Sequence, residues 1–179
     1  MIEIPIAKAT QLISPRLTVL VNTIDETGEL NSSPYSWVYP LSTKPPLIGV
    51  GIGGKHKFTY VNSVRTKEFV VCVVSEVFGQ QAVSCEAVHR PGSKLWDKQG
   101  LHAEKSLKVK VPRIRESNAI LECKVKQFIE LEGDHLILVG EVLHAEAKQT
   151  GLDNIKPLLH DGGERFRTIG KQIILKREQ

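Results

Sequence analysis

The sequence predicts a mostly antiparallel β-barrel with a few short helices in its connections. Strand-like patterns outnumber helical ones, and a hairpin pattern occurs near each end of the chain. The chain has 179 residues, of which 41% are apolar and 25% charged, and this balance suits one domain with a sizeable core. We therefore expect residues 1–179 to form a single domain.

The N-terminal half predicts three strands. Leu17–Val21 is β-branched and apolar, Asp25–Gly28 is a turn signal, and Leu30–Val38 completes a hairpin. Tyr39–Pro46 contains three prolines, which favour an extended and irregular connection. Leu47–Ile52 is the third strand.

Two helices and a helical turn are predicted in the middle of the chain. His56–Val64 carries apolar residues at helical spacing, Phe78–Val88 reads as a second helix, and Lys94–Lys98 as a helical turn. The apolar residues of the first helix are Phe58, Val61 and Val64.

The remaining strands follow from apolar runs. Glu68–Val74 is continuously apolar, which is typical of a strand covered on both faces, and His135–His144 is apolar on both faces except near Glu141. Phe166–Leu175 is the last predicted strand, and Gly133-Asp134 predicts a turn.

Ala119–Val125 alternates between apolar and charged residues. Leu121, Cys123 and Val125 fall on one face and Glu122 on the other, which predicts a strand with one wet face.

Composition excludes several classes of function. The net charge of +4 is mild and dispersed, so it fits a small anionic ligand and does not indicate nucleic acid. The three cysteines are widely spaced without a C-x-x-C pair, and the histidines are scattered, so no metal site is expected. Unpaired thiols and the lack of a signal peptide predict a cytoplasmic protein, and no apolar run approaches the roughly 18 residues of a membrane span.

The stretch from Leu47 to Thr59 fits two nucleotide-binding patterns, G-x-G-x-x-G and G-x-x-x-x-G-K. A P-loop requires Ser or Thr after the lysine to bind Mg²⁺, and His56 stands there. The dinucleotide fingerprint requires a repeating βαβ chain, and this chain begins and ends with hairpins. Both matches therefore reflect only the spacing of the glycines and the lysine, and they identify neither a P-loop nor a dinucleotide-binding fold.

The cations beside the glycines still indicate phosphate. Lys55, His56 and Lys57 precede the predicted helix, and Thr59 adds a hydroxyl to its first turn. A helix N-terminus with cations suits a dianionic phosphate. A solvated basic turn is the alternative interpretation.

An ordered set of motifs spans most of the chain. The motifs are Asn31–Trp37, Pro45–Leu47, Lys57-x-Thr59, Glu68–Val71, Gly133–His135, Gly140–Val142, Pro157–Leu159 and Gly162-Gly163. This set resembles the flavin reductase-like family with the FMN-binding split barrel, in its flavoredoxin-like subgroup. The resemblance implies an antiparallel, Greek-key-like split β-barrel. It also implies a homodimer with FMN near the subunit interface, which NAD(P)H reduces before a small-molecule or protein acceptor takes the electrons.

The resemblance assigns the cofactor-binding residues to three segments and one loop. The residues expected to bind the FMN phosphate are Lys55, His56, Lys57 and Thr59, and those whose backbone is expected to lie close to the cofactor are Gly51, Ile52 and Gly53. The strand expected beside the edge of the flavin ring contains Tyr35, Ser36, Trp37 and Val38. The loop expected over the flavin contains Lys94 and Trp96. Tyr35 and Trp37 lie two apart and are expected on the same side, either against the ring or in dimer packing. For Lys94 the alternative is a solvated loop.

His135 is the candidate catalytic residue. The resemblance places it where nicotinamide would approach the flavin, and its imidazole could orient the carboxamide or protonate the reduced flavin. Because hydride transfer needs no protein acid, we expect His135 to modulate the rate. Asp134 reads as a turn residue. Alternating cations around Arg113 and Arg115 could attract nucleotide phosphates or form the wet face of an edge strand.

Two other functions stay open from the sequence. The first is a flavoredoxin-like FMN electron carrier that does not oxidise NAD(P)H directly. The second is a basic β-barrel that binds nucleic acid, although aromatic residues are only 6% and fall mostly in apolar runs. We expect neither nucleic acid nor a membrane as partner, and the sequence does not distinguish NADH from NADPH.

Overall fold

The computed structural model describes residues 1–87, 91–173 and 175. The strands are β1 Arg16–Leu17, β2 Val19–Ile24, β3 Leu30–Tyr35, β4 Val38–Thr43, β5 Pro46–Ile52, β6 Glu68–Val73, β7 Ala103–Glu104, β8 Arg113–Ile114, β9 Ala119–Glu130, β10 Leu136–Ala147, β11 Leu159–Gly162 and β12 Arg165–Arg167. The α-helices are α1 Phe58–Thr66, α2 Gly79–Ser84, α3 Leu95–Lys98 and α4 Leu152–Ile155, and 3₁₀ helices cover Ile6–Leu12 and Glu76–Phe78.

Seven strands form one antiparallel sheet in the order β3-β2-β6-β9-β10-β5-β4. Its two edge strands, β3 and β4, are consecutive in the chain and are joined only by Ser36 and Trp37. Three Cα–Cα steps span at most about 11 Å, so the sheet must curl until its edges approach each other at this end. The result is a split barrel, which confirms the predicted fold class.

The prediction of an irregular connection at Tyr39–Pro46 was wrong. This segment contains β4 and the start of β5, which pair with each other in antiparallel fashion. Proline cannot donate to a strand ladder, but β4 is an edge strand and tolerates the missing N–H. The predicted strand Leu30–Val38 is likewise broken, because Ser36 and Trp37 carry the chain from one edge to the other.

Apolar side chains on the two faces of the sheet fill two clusters. The barrel interior includes Phe69 and Val71, whereas Val70 and Cys72 pack on the outer face beneath α2 and the loop before β8. Strand β6 is therefore buried on both faces, as predicted. Gly140 leaves room for Phe69, because a Cβ there would lie 2.2 Å from the Phe69 Cζ.

The predicted wet face of β9 was wrong at Glu122, which is fully buried. Its carboxylate accepts hydrogen bonds from the backbone N–H groups of Leu107 and Lys108 at 2.6–3.1 Å. The loop before β8 covers this face, and the buried charge is satisfied by that loop's own donors.

Helix α1 buries its polar face, whereas its sequence pattern predicts burial of the apolar face. Thr59, Asn62 and Ser63 are buried, whereas Val61 and Val64 of the predicted apolar face are 48% and 37% exposed. The Asn62 side chain donates to Thr23 Oγ1 at 3.1 Å, so a polar contact with β2 orients the helix.

Two further elements have boundaries that differ from the prediction. Within the described residues the last strand is Arg165–Arg167, and Ile174 in the predicted strand lies outside them. The helix predicted to Val88 is a 3₁₀ turn followed by α2, which ends at Ser84, and Val88 also lies outside them. Within the described chain, no helix is both long and apolar enough to cross a bilayer.

Candidate functional site

The chain passes from β5 into α1 through a tight glycine-rich turn. Gly54 adopts a φ of +102°, and a Cβ there would lie 2.9 Å from the His56 Nδ1. The positive φ favours glycine at this position, whereas the exposed His56 ring could move away from a Cβ. Five residues, 53–57, connect the end of β5 to the start of α1, and the last of them, Lys57, has an extended backbone conformation.

Two aromatic rings cover the end of β5. The Trp37 carbonyl accepts the Gly51 N–H at 2.8 Å, and a Cβ on Gly51 would lie 3.0 Å from the Trp37 Cβ. His135 precedes β10, and its ring stacks on Trp37 with centroids 4.5 Å apart and planes inclined by 20°. Its Nε2 lies 3.5 Å from the position of a Cβ on Gly53. The fold therefore brings four predicted site residues into one place.

Asp134 and His135 form a hydrogen bond at this point. The Asp134 Oδ1 lies 2.7 Å from the His135 Nδ1, and this hydrogen bond holds the pKa of Asp134 below its ordinary value. The contact orients the imidazole, so Asp134 does more than form the predicted turn.

The N-terminus of α1 holds a buried hydroxyl group. Thr59 is 1% exposed, and its Oγ1 faces the Tyr35 hydroxyl without a hydrogen bond of ordinary geometry. Ser63, one turn further, has a buried Oγ without a hydrogen-bond partner among the described residues. Burial raises the pKa of Tyr35, and the Thr59 hydroxyl partly opposes this rise. The first N–H groups of α1 suit an incoming phosphate oxygen, and the buried Thr59 hydroxyl, which interacts with Tyr35, lies in the same turn.

The cations beside this helix end are not equivalent. The Lys55 Nζ lies 2.7 Å from Glu130 Oε1, and this contact raises the pKa of Lys55. Lys57 makes no ion pair within the described residues, and its Cε lies 3.8 Å from the position of a Cβ on Gly53. His56 is exposed. Lys57 is therefore the lysine free to bind an anion.

The Ser36 hydroxyl is hydrogen-bonded to His160, which is not among the predicted site residues. The His160 Nδ1 lies 2.9 Å from Ser36 Oγ, and its Nε2 lies 2.9 Å from the Gly163 carbonyl oxygen. A carbonyl only accepts, so Nε2 carries the proton in the neutral ring and Ser36 donates to Nδ1. The Ser36 oxygen keeps acceptor capacity toward a ligand.

Comparison with known proteins identifies the family. Residues 13–170 match the family model of the flavin reductase like domain. The chain belongs to the flavin reductase-like family.

Individual relatives extend this result. An uncharacterized protein of Aquifex aeolicus is 34% identical over 165 residues, which cover 89% of this chain and 82% of that protein. The crystal structure of nitrilotriacetate monooxygenase component B from Bacillus cereus is 25% identical, with a TM-score of 0.86 over 98% of both chains. Flavoredoxin of Desulfovibrio vulgaris (Miyazaki F) is 18% identical, with a TM-score of 0.82 over 90% of both chains, which shows the fold alone.

The remaining residues that the flavin reductase-like resemblance assigns lie in other surroundings. Lys94 pairs with Glu29 at 3.4 Å beside the β2–β3 turn, and Trp96 packs against the outer-face cluster. That turn is at the far end of β3 from Trp37, about 17 Å along the strand. The structure therefore does not bring Lys94 and Trp96 to the Trp37–His135 pair.

Tyr35 and Trp37, which were expected on the same side, make different contacts in the structure. Tyr35 packs against the barrel core, as does Val38, whereas Trp37 is partly exposed and stacks on His135. The break between β3 and β4 removes the regular alternation that the expectation assumed. Ile52 is fully buried in the barrel, so only its backbone can face a ligand.

These residues fit a flavin in three respects. A buried hydroxyl, an unpaired lysine and a helix N-terminus suit its phosphate. The bare backbone at Gly53 leaves space that a side chain would fill. The Trp37 and His135 rings supply a flat aromatic surface beside that backbone.

Proposed function

We propose that the protein is an FMN-dependent oxidoreductase that uses NAD(P)H as electron donor and passes the electrons to a second acceptor. The observation that carries the proposal is the junction of β5 and α1. There, glycine backbone, the buried Thr59 hydroxyl and the unpaired Lys57 meet the Trp37–His135 pair. When bound, FMN supplies the capacity to accept a hydride and to return its two electrons.

The chain's residues take distinct roles in this proposal. Lys57 and Thr59 bind the phosphate together with the first N–H groups of α1. Gly53 allows the ring close to the backbone, Gly51 leaves room for the Trp37 side chain beside it, and Ser36 accepts a hydrogen bond from the polar edge of the ring. His135, oriented by Asp134, limits water access on the ring's open side and positions the nicotinamide.

We further propose that two copies form a homodimer in the cytoplasm. The exposed Val61 and Val64 on α1 support this proposal, because they form an apolar surface directly beside the phosphate site. The buried thiols of Cys72 and Cys123 are compatible with a reducing compartment. Light scattering on the purified protein tests the dimer, and a monomer at micromolar concentration would contradict it.

The decisive experiment begins with the chromophore of the purified protein. We expect a yellow protein that releases FMN on denaturation, or a colourless one that binds added FMN and quenches its fluorescence. A protein that does neither would overturn the proposal. Bound FMN that dithionite reduces, but neither NADH nor NADPH reduces under anaerobic conditions, would indicate the flavoredoxin-like carrier.

A variant separates cofactor contact from structural damage. The nearest atom to a Cβ on Gly53 is 3.5 Å away, which is an ordinary contact, so Gly53→Ala should fold with unchanged stability. If the flavin lies against this backbone, the same variant should bind FMN at least about tenfold more weakly, the equivalent of 1.4 kcal/mol. Equal affinity would place the ring elsewhere.

A further inference from the structure

A groove of about 480 Å³ lies between the N-terminal 3₁₀ helix (Ile6–Leu12) and the hairpin of β11 and β12. Its volume falls in the range of small-molecule sites. The side chains of Ile4 and Leu12 give it an apolar part.

The charged residues of the groove leave an excess of positive charge. Lys8, Arg165 and Arg167 line it together with a single carboxylate, Asp161. The Arg167 Nε lies 2.5 Å from Asp161 Oδ2, so these two charges compensate each other. Lys8 and Arg165 make no ion pair within the described residues. Two cations therefore remain available to a dianion.

Unsatisfied donors connect this groove with the Trp37 ring. Ser14 lines the groove, and its buried Oγ has no hydrogen-bond partner in the part of the chain that the structure describes. Arg16 follows two residues later. Its Nε is also buried and makes no hydrogen bond to a described residue, while Nη1 donates to the Thr10 carbonyl at 3.2 Å. Its Cζ lies 5.9 Å from the Trp37 ring centroid. Buried donors without partners are costly, and the oxygens of an anionic ligand would satisfy them.

We propose that this groove binds the phosphorylated adenosine end of NADPH, and that the protein therefore prefers NADPH to NADH. This inference rests on the proposed function. The 2′-phosphate is the dianion that Lys8 and Arg165 meet, while the adenine packs on Ile4 and Leu12. Arg16 contacts the diphosphate of NADPH, so that the nicotinamide end of the molecule extends toward Trp37. NADH lacks the 2′-phosphate and leaves the two cations without a partner.

The test uses fragments of the donor, so that it does not depend on a flavin. Calorimetric titration of the full-length protein compares 2′,5′-ADP with 5′-AMP. We expect 2′,5′-ADP to bind at least about tenfold more tightly, with the difference lost in Arg165→Ala and reduced in Lys8→Ala. Lys105→Ala, which removes an exposed lysine outside the groove, is the matched control and should retain the difference. Equal affinity for the two fragments, or a preference unaffected in both groove variants, would overturn the inference.

A steady-state measurement gives the second readout. Arg165→Ala should raise the KM for NADPH about tenfold without changing kcat or the KM for NADH. An equal rise in both KM values would contradict a 2′-phosphate site. FMN binding, measured on the same preparations, distinguishes the two proposals: protein that prefers 2′,5′-ADP but does not bind FMN would overturn the proposed function and support the groove.

Discussion

The imidazole of His135 stacks on the indole of Trp37, with ring centroids 4.5 Å apart and planes inclined by 20°. Trp37 comes from the link between the two edge strands of the barrel, and His135 from the turn before β10. The two residues are 98 positions apart in the chain. The pair therefore depends on closure of the barrel, and it determines what can approach the backbone of Gly51 and Gly53.

The first prediction concerns His135. In His135→Ala we expect reduction of the flavin by NAD(P)H to slow about tenfold, below the usual effect of losing a general acid, because hydride transfer itself needs no protein proton. The FMN dissociation constant should change by less than about threefold. Stopped-flow reduction and fluorescence titration measure the two quantities. Asp134→Asn, which keeps the ring but removes its orienting carboxylate, should give a smaller effect, and an unchanged rate in His135→Ala would exclude a role in the reaction.

The second prediction separates the two lysines before α1. Lys57→Ala should weaken FMN binding about ten- to hundredfold, because a charge-assisted phosphate contact contributes roughly 1.5–3 kcal/mol. Lys55→Ala should weaken it much less, because Glu130 already holds that ammonium at 2.7 Å. FMN titration measures both, and the melting temperature serves as control for folding. Equal losses in the two variants would mean that the Glu130 pair breaks when FMN binds.

The third prediction tests the contact between Gly51 and Trp37. A Cβ at position 51 would lie 3.0–3.1 Å from Trp37 atoms, so Gly51→Ala must displace the indole. We expect a loss of about 1–3 kcal/mol in the free energy of unfolding, together with weaker FMN binding. Gly133→Ala is the matched control, since no atom lies within 4 Å of its Cβ position. A Gly51→Ala protein with the stability of the control would contradict the described packing.

The fourth prediction concerns pH and the β2–β3 turn. The Asp25 carboxylate is buried, which raises its pKa, but hydrogen bonds from Thr27, Gly92 and Glu29 outweigh this, and the pKa lies below its ordinary value of 3.8. Asp25 therefore stabilises the fold fully above pH 3.8, and this contribution is lost as the pH falls through the lower, folded-state pKa.

The variant Asp25→Asn tests this predicted loss of stability at low pH. At pH 6 it should lower the free energy of unfolding by at least about 2 kcal/mol, because the charged acceptor of four hydrogen bonds is lost. Urea unfolding at pH 6 and at pH 3 should show the difference from the wild type shrinking at the lower pH. Glu26→Gln, an exposed neighbour in the same turn, should show no such difference. A gap that widens toward pH 3 would reverse the assigned direction.

The sequence predicted strands well wherever both faces or one face carried a regular apolar pattern. Strand β6 is a continuous apolar run and is buried on both faces, as expected. The pattern failed where polar residues are buried by tertiary contacts. Glu122 is buried because a loop from 15 residues earlier donates to it, and Asn62 turns α1 inward by bonding Thr23. Neither contact leaves a local signal, since each depends on a partner distant in the chain.

Part of the candidate site was predictable because its residues are close together in the chain. The glycines, Lys57 and Thr59 are within nine residues of each other, so the sequence brings them together without help from the fold. His160 and Arg16 were missed as site residues because they reach Ser36 and Trp37 through β11 and β1. A lone histidine in a turn-like segment and a lone arginine near the N-terminus have no spacing that marks them.

The sequence by itself determined the antiparallel strand set, the glycine-to-helix junction and the resemblance to the flavin reductase-like family, because each is a property of local pattern or of motif order. The tertiary structure decided which cation at that junction is unpaired, which ring covers the glycines, and which loop residues lie elsewhere. Those choices depend on ion pairs and packing between segments far apart in the chain, such as Lys55 with Glu130 and Trp37 with His135. Barrel closure through Ser36 and Trp37 is the physical step that brings those segments together.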